Sequence, residues 1–260
     1  MSTVRHRSVA EAAEFLGVHP QRVHQRIREG SLRAEKIGHQ WVVDAADLQR
    51  LRGRNAPGRP LSPRSAWALI AAAKASSDPL AARDVAALLP VEPSARSRAR
   101  ARLQDLVAAA AAAYEAGDLS LVSHLLHHAL SKRADRALYA ASPRDLADLK
   151  DDSRLHLSGI SIEGSNLSSA GLVEGYVLAE DREQIVNDYL LSPAAPERAN
   201  VFLHLADLAD RDPDMRRERL VQLAGSVLAV AADLAEHDGV REKNEAARTL
   251  LAPWGGIARD

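Results

Sequence analysis

The sequence predicts a mainly α fold with a smaller mixed α/β part: a small N-terminal module, a helical middle region and an α+β C-terminal region. Three observations predict it. Between Ser8 and Leu51 two capped apolar-periodic segments precede an alternating hairpin; from Ser62 to Leu130 apolar residues recur at helical spacing; beyond Ser142-Pro143 short β-branched segments are bounded by Gly, Ser, Asn and Pro. The Gly- and Pro-containing run Gly53-Arg54-Asn55-Ala56-Pro57-Gly58-Arg59-Pro60 cannot continue a helix and reads as a basic linker. The domains are therefore expected at 1–52, at 62–260 after a linker over 53–61, and within the second domain a helical part over 62–142 and a mixed part over 143–260.

In the front module Ser8 and Glu11 stand three apart, so each side chain can satisfy a free backbone N–H of the other, and a helix is expected from about Val9. Val9, Ala12, Ala13 and Leu16 give it an apolar stripe, and Gly17 ends it. His19-Pro20 restarts the chain as a second helix running to Glu29, closed by Gly30, because proline at the first helical position loses no hydrogen bond. Val23 and Ile27 then face inward. This leaves Gln21, Arg22, Gln25 and Arg28 on the outer face, with His24 and Arg26 on its flanks and no acid among them. Leu32 to Ile37 and Gln40 to Val43, joined by Gly38-His39, form a hairpin in which Trp41 and Val43 share a side. Asp44 can cap a third helix over 45–52, where Leu48 and Leu51 close the small core.

Two helices about a sharp turn, followed by a hairpin wing, resemble the excisionase-like, MerR-related winged helix-turn-helix proteins over Ser8 to Leu51. The resemblance implies binding of double-stranded DNA. Arginine and glutamine carry the paired donors and acceptors that match guanine and adenine edges in the major groove, so Arg22, Gln25 and Arg26, with Gln21, His24 and Arg28, are the expected reading and positioning residues. Arg33, Lys36, His39 and Gln40 are expected to make wing contacts. The family often has a basic residue directly after the wing glycine; here His39 stands there, and its contact weakens as the imidazole loses its proton. Arg54 and Arg59 in the linker would add unspecific phosphate attraction. Gly58-Arg59-Pro60 also matches the core of an AT-hook, though an ordinary tether is the favoured reading. Most charge runs are solvated faces, but motif order and face composition together favour DNA.

Charge distribution agrees. Residues 1–60 hold eleven Lys/Arg against six Asp/Glu, a surplus of +5, and the remainder 23 against 29, or −6, giving the total of −1. The front suits a polyanion and the rear does not. The chain has no cysteine, which excludes disulfides, thiolate zinc sites and cysteine nucleophiles. Without a visible signal peptide or a run of about 20 apolar residues, the expected location is the cytoplasm.

In the rear, Ser62-Pro63 starts a helix ending near Ser76, Leu80 to Leu89 forms a second, and a third runs from Pro93 to Gly117. Arg96, Arg98, Arg100 and Arg102 fall at its start. Their spacing of two spreads them around the cylinder, so solvation and pairing with acids are expected rather than a second nucleic-acid patch. Leu119 to Leu130 is a fourth helix. Its His124 and His128 lie one turn apart and could grip a metal, but no third ligand is evident, so they read as structural and no metal or cofactor is expected. Trp67 and Trp254 read as core or interface anchors. Strands are expected at Leu155 to Ile162, Leu172 to Leu178, Tyr189 to Leu191 and Asn200 to Leu205, then helices at Val221 to Glu236 and Val240 to Leu251. No P-loop, dinucleotide turn or nucleophile elbow appears, so the chain is not expected to be an enzyme.

The segments LSPRSAWALI, SKRADRALYAASPRDLADLKDDSRLHLSGIS, LVEGYV, DYLLSP, ANVFLHLAD and AADLAEHDGVREKNEAARTLL, in this order between Leu61 and Leu251, resemble the body of AbiE-like bacterial antitoxins. That resemblance implies a nucleotidyltransferase-type toxin as partner, toxin neutralisation and repression of the shared promoter; a homo-oligomer on DNA is expected separately, because a single small winged module buries too little DNA to bind tightly alone. The alternatives are a stand-alone regulator or an excisionase-like recombination directionality factor whose rear domain senses a small molecule or binds protein.

Overall fold

The computed structural model describes residues 6–16, 18–29, 32, 34–38, 40–44, 48, 60–77, 92–162, 171–208 and 212–255. The chain divides into two units, Met1–Gly58 and Arg59–Asp260.

Unit 1 opens with a strand that periodicity does not announce. β1 (His6–Ser8) leads directly into α1 (Val9–Leu16). The expected capping box is present: the Ser8 N–H donates to Glu11 Oε2 at 2.8 Å and the Glu11 N–H to Ser8 Oγ at 3.2 Å. The Ser8 N–H and the Ser8 hydroxyl, both donating to Oε2, hold the Glu11 carboxyl below its ordinary range. α2 (Pro20–Arg28) follows, with His19 as its N-cap. β2 (Ala34–Ile37) and β3 (Gln40–Asp44) form the hairpin, with Ile37 opposite Gln40 and Gly38 in the left-handed region at φ 61°. β3 lies between β1 and β2, all antiparallel. Ala12, Ala13, Val23, Leu32, Val43 and Leu48 bury a small core against the inner sides of α1 and α2. Beyond Leu48, the expected third helix over 45–52 lies outside the described residues, as does the helix expected at Leu80 to Leu89.

In unit 2, α3 (Pro63–Ser77), α4 (Pro93–Glu115) and α5 (Leu119–Leu130) keep the predicted apolar faces, capped by Ser62 and Asp118. The region expected to be helical through 142 then turns into a strand. β4 (Asp135–Ala140) pairs with β8 (Val201–Ala206), about 65 residues later, and such a distant partner leaves no local signature. After α6 (Leu146–Lys150) come β5 (His156–Leu157), β6 (Val173–Leu178), α7 (Arg182–Asp188) and β7 (Ser192–Pro193). The five strands run in the order β5-β6-β8-β4-β7, parallel only between β6 and β8. Two expected strands are corrected. Leu155 to Ile162 forms a strand only at residues 156–157, because Gly159 at φ 53° turns the chain into a 3₁₀ helix. Tyr189 to Leu191 is the turn that ends α7, and the strand begins at Ser192. The helix expected at Val221 to Glu236 is two, α8 (Pro213–Ala224) and α9 (Val227–Ala235), broken at Gly225-Ser226 and followed by α10 (Val240–Leu251).

Side chains alternate across the sheet, and both faces are covered, which is why β6 and β8 read as nearly unbroken apolar runs. Tyr176, Leu178, Phe202 and Ala206 join the large helical core. Val173, Val177, Val201 and Leu203 join a second core closed by Leu146, Leu149 and Ile185. Trp67 is buried edge-on against Tyr176, with ring centroids 5.7 Å apart, and half-buried Trp254 packs on the same core.

Between the sheet and α9 lies a buried polar network. Arg133 bonds Asp233 and Glu236, the Tyr176 hydroxyl donates to Asp233 Oδ1 at 2.7 Å, and the Ser158 hydroxyl reaches Asp233 Oδ2. Glu174 receives His204 on one carboxylate oxygen at 3.1 Å and His237 on the other at 3.0 Å. Buried charge is tolerated only when partnered in this way.

Candidate nucleic-acid interface

The candidate interface is built on α2. Val23 is fully buried and Ile27 packs against the same core, so the helix presents the opposite side to solvent. Gln21, Arg22, His24 and Arg28 are exposed, while Gln25 and Arg26 are half-buried. Pro20 at the first turn gives the helix a firm start, and the His19 ring, through Nδ1, accepts from the Gln21 N–H at 3.4 Å. His19, Gln21, Arg22, His24, Gln25, Ile27, Arg28 and Trp41 line one open cleft. Trp41 is thus more than a support under the helices, the role its place beside Val43 suggested. The wing adds Lys36 and Gln40, both exposed, on neighbouring strands.

One expectation about this face is corrected. It was read as free of acid, but α2 ends so that Glu29 lies one turn beyond Gln25. Arg22 Nη1 donates to Gln25 Oε1 at 2.6 Å, and Gln25 Nε2 donates to Glu29 Oε1 at 2.6 Å. Spacings of three and four on one helix side produce this relay. It orients the Gln25 amide and places its donor against a carboxylate. Reading an adenine through both atoms of that amide requires the relay to open.

Of the remaining expected contacts, Arg33, His39, Arg54 and Arg59 lie outside the described residues. The structure brings together Gln21, Arg22, His24, Gln25 and Arg28 in one cleft; Arg26, Lys36 and Gln40 are not among its lining residues. Near the front edge the Arg7 guanidinium sits 4.6 Å from the Phe15 ring centre. It joins β1 to α1 and was not expected, because β1 itself was not.

Residues 8–56 match the family model for a helix-turn-helix domain. The match covers the capping box, both helices and the wing, and it makes unit 1 a helix-turn-helix domain whose implied partner is DNA. No curated protein and no solved structure matches the chain. Unit 2 lies beyond the matched residues. Its His124 and His128 rings stack 6.4 Å apart. Among the described residues, no group of three or more His, Asp or Glu could hold a metal ion, and no helix is long and apolar enough to cross a membrane.

Proposed function

We propose that the chain is a sequence-specific DNA-binding repressor that acts as the antitoxin of a toxin–antitoxin pair, with no enzymatic role of its own. Unit 1 occupies the promoter shared with the toxin, and unit 2 meets the toxin, a nucleotidyltransferase-type protein. The observation that carries the DNA half is the exposed Gln21-Arg22-Gln25-Arg28 side of α2 within a matched helix-turn-helix domain. Its side chains are those that grip base edges and phosphates. The toxin half rests on the order of the segments between Leu61 and Leu251 and on the acidic surplus of that region. A single small module buries too little DNA for tight binding, so paired or arrayed copies on repeated half-sites are part of the proposal.

The test is co-purification. The tagged chain is expressed with its native flanking genes, and its companions are identified by mass spectrometry. Recovery of a neighbour-encoded nucleotidyltransferase supports the antitoxin role; its absence from a preparation in which that neighbour is soluble and abundant removes it. The reading left standing would be a stand-alone regulator or recombination directionality factor, which the excisionase-like front module favours.

A further inference from the structure

Two helices of unit 2 begin side by side. The N-terminal parts of α3 and α4 line one cleft of about 280 Å³, to which α3 contributes Arg64 and Ser65 and α4, with its N-cap Glu92, contributes Ser94, Arg98 and Arg102. At roughly 30 Å³ per water, that space takes a phosphate group with part of its hydration. All three arginines are exposed, and none forms an ion pair among the described residues. The alternating arginines were expected to scatter around the helix and to find acids. Arg100 does scatter, lining a different groove with Trp254. Arg98 and Arg102, however, lie four apart and return to the same side, where Arg64 of the neighbouring helix joins them. Against the single carboxylate of Glu92, three guanidiniums leave a formal surplus of +2 at one spot on a unit that is acidic in total. Like charges held together repel unless an anion lies among them, and the guanidinium fork matches phosphate oxygens in pairs. The first turn of α4 also has no side-chain cap bond, so its N–H end adds to the same field.

We propose that this cleft binds phosphate, and that the phosphate belongs to the DNA backbone flanking the sequence contacted by unit 1. The second part rests on the DNA-binding reading of unit 1. Chain length favours that source over a free phosphorylated molecule. Leu48 belongs to the core of unit 1 and Ser62 caps α3, and by covalent geometry the chain joining these two residues can span at most about 50 Å. The cleft can therefore reach the backbone within about one and a half turns of the duplex beyond the site.

The experiment uses the full chain, a duplex selected by it from a random pool, and two lengths of that duplex, one trimmed to the selected site and one with 20 base pairs added on each side. Arg98→Ala/Arg102→Ala is compared with the natural chain and with Arg100→Ala, with thermal melts to verify that all three are folded. The expected result is 3- to 30-fold weaker binding of the double variant to the long duplex, with a log–log salt slope smaller by about 2, and no change on the trimmed duplex or in Arg100→Ala. Equal affinity and slope on the long duplex overturn the DNA assignment. Titration with inorganic phosphate and with ADP separates the sources: binding lost in the double variant, without a flank effect, retains the phosphate site and assigns it to a free ligand. No effect in either arm overturns the cleft as a phosphate site, as does a double variant that loses only a protein partner. If the natural chain selects no duplex, the reading of unit 1 fails, while the phosphate and ADP titrations still decide the cleft.

Discussion

Arg133 and Asp233, a hundred positions apart in the chain, meet at 2.5 Å with side chains 1% and 0% exposed. Arg133 follows the last turn of α5 and Asp233 lies on α9, so the pair fastens the end of α5 to α9 within the helical layer. Removing Asp233 leaves the buried Arg133 with Glu236 as its one carboxylate and takes the acceptor from the Tyr176 and Ser158 hydroxyls, which costs about 3–5 kcal/mol. Asp233→Ala is expected to lower the melting temperature of unit 2 by about 6–20 °C. Arg133→Met with Asp233→Leu should recover much of the loss. A single variant melting within 2 °C of the natural chain would show that the pair fastens nothing.

Acid should loosen the same region. Burial alone would raise the Glu174 carboxyl, but the His204 and His237 imidazoles on its two oxygens hold it well below the usual carboxylate range. Glu236 is also held low, by Arg133 against its burial. For a depressed carboxylate the unfolded chain binds protons first. The stabilisation is therefore complete above about pH 4.3, the ordinary value for Glu, and is lost as pH falls toward the folded-state value. Chemical denaturation at pH 7, 5, 4 and 3 should show stability declining most steeply below pH 4, and Glu174→Gln should flatten that decline. An equally steep decline in the variant would clear Glu174 of the effect.

Gly159 stands where no other residue fits. Its φ of 53° is left-handed, and a Cβ there would land on the Glu174 carboxylate. Gly159→Ala combines backbone strain with displacement of a buried charge, so a loss above about 2 kcal/mol is expected from urea midpoints. Gly38→Ala is the contrast: also left-handed, it has open space around it, and only the strain of about 1 kcal/mol should register.

On the DNA side, Arg22→Ala and Arg26→Ala should each weaken specific binding by about 1–3 kcal/mol wherever the arginine grips a guanine. Glu29→Gln should act oppositely, since it removes a negative charge from this side of α2 and leaves the Gln25 amide only a neutral, weaker acceptor. Gel-shift titrations against the selected duplex and an unrelated one decide both; a Glu29→Gln chain that binds no tighter to either would mean the relay does not compete with DNA.

What could be read from the sequence was local. The Ser8-Glu11 box, the Pro20 start of α2 and the Gly38 turn are each written within a few residues, and the helix-turn-helix followed from them. Pro63 and Pro93 marked α3 and α4 for the same reason. β4 was missed because its six residues become a strand only through β8. The network around Arg133 was invisible because it draws on residues 158, 174, 176, 204, 233 and 236, each unremarkable among its neighbours. That Arg98 and Arg102 share a cleft was out of reach for a different reason: counting along one helix says nothing of Arg64 on the next.

The wide separation of β4 from β8, and of Arg133 from Asp233, also has a meaning in time. At about 5–20 residues per second, a ribosome needs about 5–20 s after Arg133 before Asp233 is made. Among the described residues the core of unit 1 ends at Leu48, and the unit, which extends to Gly58, can close long before that. Any message cut short in between leaves a product with its front intact and its body unfastened: a helix-turn-helix domain released without unit 2.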